Sequence, residues 1–331
     1  MTISNMTSPA TQAPPATAVE FQGFTFPLER VACDFCGSQE FHAFWTRMRH
    51  GLDLPTVLCK TCGLCMTNPR PTSEANSLFY SQLYNRFHKR EAPLDANSPY
   101  VKKSRKLAGP RVECLSQFLD PRQSSAVFEI GAGVGQFQVA ARERTSWRTS
   151  GLEPGNEQSA LCRQLGLDVT QAFFKTMPID DESLDAVVSF HVLEHVDSPA
   201  QFIRHVNRIL RPGGLVHLEV PNLARWGEDG LDRFFQFPHL FNFTSITLRN
   251  YLTTIGGFQP IYSAARAHSL TMVARKVGPA SLDTVSPQDF ERFDVVNFMN
   301  RLRMMERVRR LARCLPRWSV LGKVRSTLES I

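Results

Sequence analysis

The sequence predicts an α/β protein: a parallel sheet covered by helices on both faces, with a small cysteine-bearing module before it and a basic helical extension after it. Three observations carry this reading. From Ala126 onward, short β-branched runs alternate with helical stretches. A glycine-rich turn, "EIGAGVGQF", joins the first of those runs to the first of those helices. Five of the eight cysteines crowd into Cys33–Cys65.

Taken from the start, "MTISNMTSPATQAPPATAVE" is rich in Ser, Thr, Ala and Pro, so residues 1–20 are expected to be a disordered tail. The tail lacks a basic stretch followed by an apolar one and does not read as a signal peptide. No window approaches the ~20 consecutive apolar residues of a membrane span, so the expected location is cytoplasmic. Apolar and charged shares of 42% and 21% are those of a globular protein. The net charge of +7 admits an anionic partner, whether nucleic acid, a phosphorylated substrate or a lipid head group, without choosing among them.

Residues 21–75 form the cysteine module. "CDFCGS" and "CKTCGL" are two C-x-x-C-G knuckles with 22 residues between them. Such turns can place the thiolates of Cys33, Cys36, Cys59 and Cys62 tetrahedrally on one structural zinc ion, leaving Cys65 spare. An iron site or free thiols are the alternatives. A disulfide framework would instead spread its pairs over a smaller chain.

Residues 76–125 read as helical connectors broken by Pro93, Pro99 and Pro110. Within residues 126–278, strands are expected near Val127–Ile130, Arg148–Glu153, Leu184–Phe190 and Gly214–Val220, with helices at Glu157–Leu165 and Pro199–Leu210. "RPGG" at Arg211–Gly214 reads as a helix stop and turn. "FTSITLRNYLTTIGGFQP" predicts an N-cap at Thr244 or Ser245, a helix, a glycine exit and a strand, and "HSLTMVARK" a final strand.

In the glycine turn, Glu129 ends a strand and Gly131, Gly133 and Gly135 follow. Glycine suits a turn that needs positive φ and a backbone that approaches a ligand. A dinucleotide fingerprint would want a small residue at position 136, where Gln136 stands, and pyrophosphate would face the anion of Glu129. A cationic or neutral ligand fits better. Glu153, 24 residues on at the tip of the next strand, is placed to accept hydrogen bonds from ribose hydroxyls.

Together with "SLDAVVSFHVLEHV" and "LRPGG", these pieces resemble the class I S-adenosylmethionine-dependent methyltransferases over roughly Val127–Lys276. The resemblance implies a Rossmann-like sheet of seven strands, the last antiparallel, with S-adenosylmethionine held by Glu129, Gly131, Gly133, Gly135, Glu153, Phe174 and Ser189. One departure stands out. Phe173 and Phe174 occupy the place of an acid that contacts adenine in many members, which implies stacking or apolar contact there. The knuckles, the "NPRP" turn and the following "FY" helix resemble a bacterial subgroup with a zinc-ribbon head, found in sugar, polysaccharide and secondary-metabolite pathways. The "LGxxPxAN" signature of carbon-methylating relatives is not evident.

Methyl transfer to oxygen or nitrogen needs a group that removes a proton, for which histidine is suited near neutral pH. His191 and His195 follow the fourth strand, with Glu194 between them, and the Glu194–His195 pair could instead hold a divalent ion. His239 lies in Asp232–Phe243, a segment with five phenylalanines that reads as a substrate lid. The candidate bases are His195, then His239, then His191.

In the extension, 279–331, apolar residues recur at Val295, Phe298, Leu302, Met305, Val308, Leu311 and Leu315, with arginines largely off that stripe. The helix either packs on the protein with a solvated basic face, or contacts an anionic membrane surface or lipid-linked substrate. The expected function is methyl transfer to a hydroxyl of a carbohydrate-type or small-molecule acceptor. The rivals are an RNA methyltransferase and a cofactor-binding scaffold without turnover.

Overall fold

The computed structural model describes residues 17–21, 23–83, 94–95, 98–176, 178–225, 230–237, 239–266, 268–281, 285–291 and 294–313. Its central sheet has seven strands: β7 (Ala126–Ile130), β8 (Arg148–Leu152), β9 (Val169–Thr170), β10 (Leu184–Phe190), β11 (Leu210–Pro221), β13 (Phe258–Ala265) and β14 (Ser269–Lys276). They run in the order β13-β14-β11-β10-β7-β8-β9. From β9 to β11 all neighbours are parallel, whereas β14 is antiparallel to both β11 and β13. This is the Rossmann-like methyltransferase sheet.

Strand β10, "LDAVVSF", shows why both faces are covered: successive side chains point to opposite sides. Ala186 and Val188 pack with Val112 and Leu115 of α2 (Pro99–Ser116) and Phe137 of α3 (Gln136–Arg144). Val187 packs on the other side with Phe202, Ile203 and Val206 of α5 (Pro199–Ile209). These three, with Ile209, form the apolar stripe of α5; Ser198 caps the helix by accepting from Gln201 N, and Pro199 holds its first position. Helix α4 (Asn156–Gln164) follows β8, and α7 (Ser245–Asn250), capped by Thr244, continues into a wide turn at Tyr251–Ile255.

Four expectations change. Ala18–Glu20, placed in the tail, belong to β1 (Ala18–Phe21), which pairs with β2 (Phe24–Glu29); residues 1–16 lie outside the described residues. Pro99 starts α2 rather than breaking it, because Ser98 caps that turn and proline lacks only an N–H that would be orphaned anyway. Pro110 lies inside the same helix, while Pro93 falls outside the described residues. "RPGG" is a bulge within β11, not a turn before it: Leu184 pairs with Leu210 but Ala186 with Leu215, and Gly213 supplies φ +78°.

The cysteine module is joined to the seven-stranded sheet by a shared core. Its strands β3 (Phe41–Arg47), β4 (Asp53–Cys59) and β5 (Cys65–Thr67) form a sheet completed by β12 (Phe241–Asn242), which comes from the other end of the chain. A short β6 (Arg70–Pro71) pairs with β2, and α1 (Ser73–Leu78) follows. The segment read as a lid is therefore a strap: Phe235 and Phe237 are fully buried among Phe21, Phe26, Phe44 and Phe79, with α6 (Leu231–Phe234) beside them. Five clustered phenylalanines cost too much to leave in water and find a core at once.

Helix α8 (Val295–Arg313) spends its apolar stripe in the same way. Val295, Met299 and Leu302 are buried against the ribbon, Glu306 accepts from Leu231 N, and Arg303 donates to Ala43 O with its guanidinium 5.7 Å from the Phe44 ring. The first part of the stripe is thus spent on the protein's own core, whereas the side chain of Leu311, and Leu315 altogether, lie outside the described residues. No described helix is long and apolar enough to cross a membrane.

Candidate active site

A cavity of about 1060 Å³ opens at the carboxyl ends of β7, β8, β10 and β11, under α2 and α1. One end is the glycine turn. Gly131 has φ +77°, and a Cβ there would come within 2.4 Å of Val192 Cγ2, so only glycine fits. The backbone N–H of Gly133 donates to Glu153 Oε2 and that of Gly155 to Glu153 Oε1, both at 2.8 Å. The carboxylate is thereby locked at the tip of β8, its charge facing the cavity. Gly131, Gly133, Glu153 and Phe174 all line it, and this bare backbone beside an oriented acid fits the nucleoside of S-adenosylmethionine.

Glu129, Gly135 and Ser189 stand behind the wall. Ser189 donates to Ile130 O, and a Cβ on Gly135 would meet Leu167 at 2.3 Å, so that glycine serves the packing of α3. Glu129 is 3% exposed, with no hydrogen-bond partner for Oε2 among the described residues. Burial pushes its pKa up to about 8, against the pull of Arg111. The folded state thus binds this proton more tightly than the unfolded state. Stability is whole below pH 4.5 and is lost as pH rises from there toward 8, by on the order of 3 kcal/mol at neutral pH. Glu129→Gln is expected to melt with the wild type at pH 5 and above it at pH 8, in the ligand-free protein. Identical melting temperatures at both pH values would refute the protonated-acid assignment.

The other end of the cavity holds the three histidines. His191 adopts φ +58°, an uncommon conformation for a non-glycine residue. Its Nε2 lies 3.0 Å from Glu219 Oε1 and its Nδ1 3.5 Å from Glu194 Oε1. Burial disfavours its cation, but the two carboxylates outweigh that and push the pKa up to about 9. At neutral pH His191 is a fixed cation, so as a base it is a poor candidate. Glu219 is also bound in a fork by Arg111, at 3.1 and 2.9 Å. Burial alone would raise the Glu219 pKa, yet His191 and Arg111 hold it well below the carboxylate range. His217, fully buried against the Phe190 ring, is driven down to about 4 by burial and stays neutral.

His195 and His239 come from segments far apart in sequence, and their rings meet at 4.8 Å between centroids. Glu194, 1% exposed, lies beside them with neither carboxylate oxygen hydrogen-bonded among the described residues; His195 Nε2 is 3.8 Å from its Oε1. Its backbone carbonyl accepts from Leu240 N and Phe241 N, which zips the two segments together. Ligand atoms of Glu194, His195 and His239 lie within 4.8 Å of one another, as do those of the four cysteines.

In the ribbon, the sulfurs of Cys33 and Cys62 are 3.5 Å apart and those of Cys36 and Cys59 3.6 Å. These separations are too long for disulfides and close to the ~3.8 Å edge of a tetrahedron with zinc–sulfur bonds of ~2.3 Å. The buried four-cysteine cluster fits a zinc ribbon.

Sequence reasoning missed Arg111 and Glu219, which are 108 positions apart, and also Tyr80, whose ring lies 5.7 Å from that of His195. Nothing local to α2 marks Arg111 as a site residue.

Residues 128–218 match the family model described as a methyltransferase domain. The match falls on the part of the chain that holds the glycine turn and the parallel strands of the Rossmann-like sheet. A Mycobacterium tuberculosis protein named as a probable S-adenosylmethionine-dependent methyltransferase is 41% identical over 56 residues, 17% of this chain and 20% of that protein. The mitochondrial ubiquinone biosynthesis O-methyltransferase of Dictyostelium discoideum is 44% identical over 43 residues, 13% of each. An uncharacterized 37.1 kDa protein of a Streptomyces fradiae transposon is 29% identical over 111 residues, 31% of this chain and 32% of that one. The chain therefore spans about a third or less of these relatives' lengths. Among solved structures, Burkholderia thailandensis 1,6-didemethyltoxoflavin-N1-methyltransferase covers 65% of this chain and 96% of its own, with 17% identity and a TM-score of 0.48.

Proposed function

We propose that this protein transfers the methyl group of S-adenosylmethionine to a hydroxyl of a carbohydrate-type or small-molecule acceptor. The observation that supports it is a single cavity with the glycine turn and Glu153 at one end and the His195–His239 pair, backed by Glu194, at the other. S-adenosylmethionine, when bound, supplies an electrophilic methyl group on a sulfonium. Glu153 would hold the ribose hydroxyls, Gly131 and Gly133 would let the backbone close on the ligand, and Phe174 would cover the adenine.

On the acceptor side, His195 or His239 takes the hydroxyl proton on a ring nitrogen. Glu194 then faces the imidazolium so formed, and its buried carboxylate stabilises that charge. Aromatic side chains of Tyr80, Phe174, Phe190 and Tyr262 in the cavity wall exclude water. Holding both partners in line supplies several kcal/mol of the acceleration. Cys33, Cys36, Cys59 and Cys62 would hold one structural zinc ion, with no coordination position left for substrate.

The test is label transfer from methyl-labelled S-adenosylmethionine into fractionated extract. Label is expected in ribonuclease-resistant glycan, glycolipid or small molecules. His195→Ala or His239→Ala is expected to lower turnover by about 100-fold or more, the usual worth of a general base, with cofactor affinity kept. Label that ribonuclease removes would point to RNA as acceptor. Cofactor binding without label in any fraction would point to a scaffold.

A further inference from the structure

We propose that Asp34, inside the first cysteine knuckle, is a positioning residue for His195 and His239, so that the ribbon's metal sets the geometry of the transfer site. The proposal rests on the reading of those histidines given above. The side chain of Asp34 leaves the knuckle, and its Oδ2 accepts from Ala200 N at 2.8 Å and from Tyr251 Oη at 2.9 Å. Ala200 is in the first turn of α5, where backbone N–H groups have no partner within the helix and a negative charge is favoured. That turn directly follows the loop carrying His191, Glu194 and His195. Phe35, the next residue of the knuckle, packs edge-on against the Tyr251 ring at 5.1 Å.

The second knuckle reaches the other histidine. Beyond Cys62 the chain enters β5, whose Cys65 and Met66 pair with Asn242 and Phe241. Thr67 N donates to Leu240 O at 2.9 Å and Thr67 Oγ1 to the carbonyl of His239 at 3.1 Å. The chain after β5 closes the grip: Arg70 Nη1 donates to Asp197 O at 2.6 Å, and Asn76 Nδ2 to His195 O at 3.2 Å. Each histidine segment is therefore anchored to ribbon-side residues, and the four thiolates tie the two knuckles into one body. Loosening either knuckle releases the histidines relative to each other, while the carboxylate of Glu153 stays held by Gly133 N and Gly155 N.

The experiment compares Asp34→Ala and Asp34→Asn with wild type in the full chain. Four quantities are read: zinc per chain, affinity for S-adenosylmethionine, side-chain ¹³C–¹H resonances of His195 and His239, and methyl-transfer turnover. For Asp34→Ala we expect zinc retained, cofactor affinity within about twofold, both histidine resonances displaced and turnover lowered about tenfold or more, since small misplacements of reacting groups are costly. Asp34→Asn keeps an acceptor oxygen and is expected to recover most of the turnover. Unmoved resonances with unchanged turnover in Asp34→Ala would overturn the proposal. So would loss of zinc or cofactor affinity in both variants, which would make Asp34 a support of the fold alone. Should the wild type label no fraction, the resonances still decide the positioning claim while the functional reading fails separately.

Discussion

A Cys62→Ser variant is expected to lose the zinc proposed for the four cysteines and to melt about 4 °C or more below wild type, a cost on the order of 3 kcal/mol. Cys62 is 3% exposed, and its sulfur lies 3.5 Å from that of Cys33. Serine is a poor ligand for zinc, and the loss leaves three thiols crowded without the ion that organises them. The effect should not stay in the ribbon. Cys33, Cys59 and Cys62 belong to one buried cluster with Phe202, Leu218 and Tyr251, which lie outside the ribbon. Strand β12 completes the ribbon sheet, so the domain built on the seven-stranded sheet should lose cooperativity too. Calorimetry with metal analysis checks this, and an unchanged melting temperature with the zinc gone would show the ribbon to be ornamental to stability.

Glu219→Gln is expected to cost about 3–5 kcal/mol at pH 7, because it leaves the cations of Arg111 and His191 facing each other without their shared anion. The glutamate side chain is 11% exposed and that of Arg111 14%, so water offers little relief. The sign with pH follows from the depressed pKa of Glu219. Its contribution is present above the ordinary value of 4.5 and fades as pH falls below that toward its own, much lower value. Urea titrations should therefore separate variant and wild type fully at pH 7 and bring them together in strong acid. In the same variant the His191 pKa should drop from about 9 toward the imidazole range, readable by its ring resonances. A variant as stable as wild type at pH 7 would show that the ionic trio contributes nothing net.

How far the sequence could be read follows from where each signal resides. Strands β7, β8 and β10 were legible because a buried parallel strand is an apolar run a few residues long, and "EIGAGVGQF" because glycines at that spacing answer a local backbone demand. The N-cap at Thr244 and the stripe of α5 are of the same kind. The helix through Pro110 was not legible, since breaker rules describe an isolated segment and α2 is held by its packing on Val127 and Val188. The phenylalanine-rich strap was misread as a lid for a related reason. Its composition says that it must be covered, and only the fold says by what.

Local chemistry in the chain settled that residues 128–218 form a methyltransferase domain and that four cysteines are spaced for one metal. Spacing and periodicity are properties of neighbours along the chain, and they survive without a fold. The tertiary structure alone decided which histidine keeps its proton, because the charge of His191 is set by Glu194 together with Glu219, and Glu219 is brought from another strand that no local pattern connects to it. It also decided that His195 faces His239 and that Asp34 reaches the first turn of α5, since electrostatics and hydrogen bonds act over a few ångströms of space and take no account of distance along the sequence.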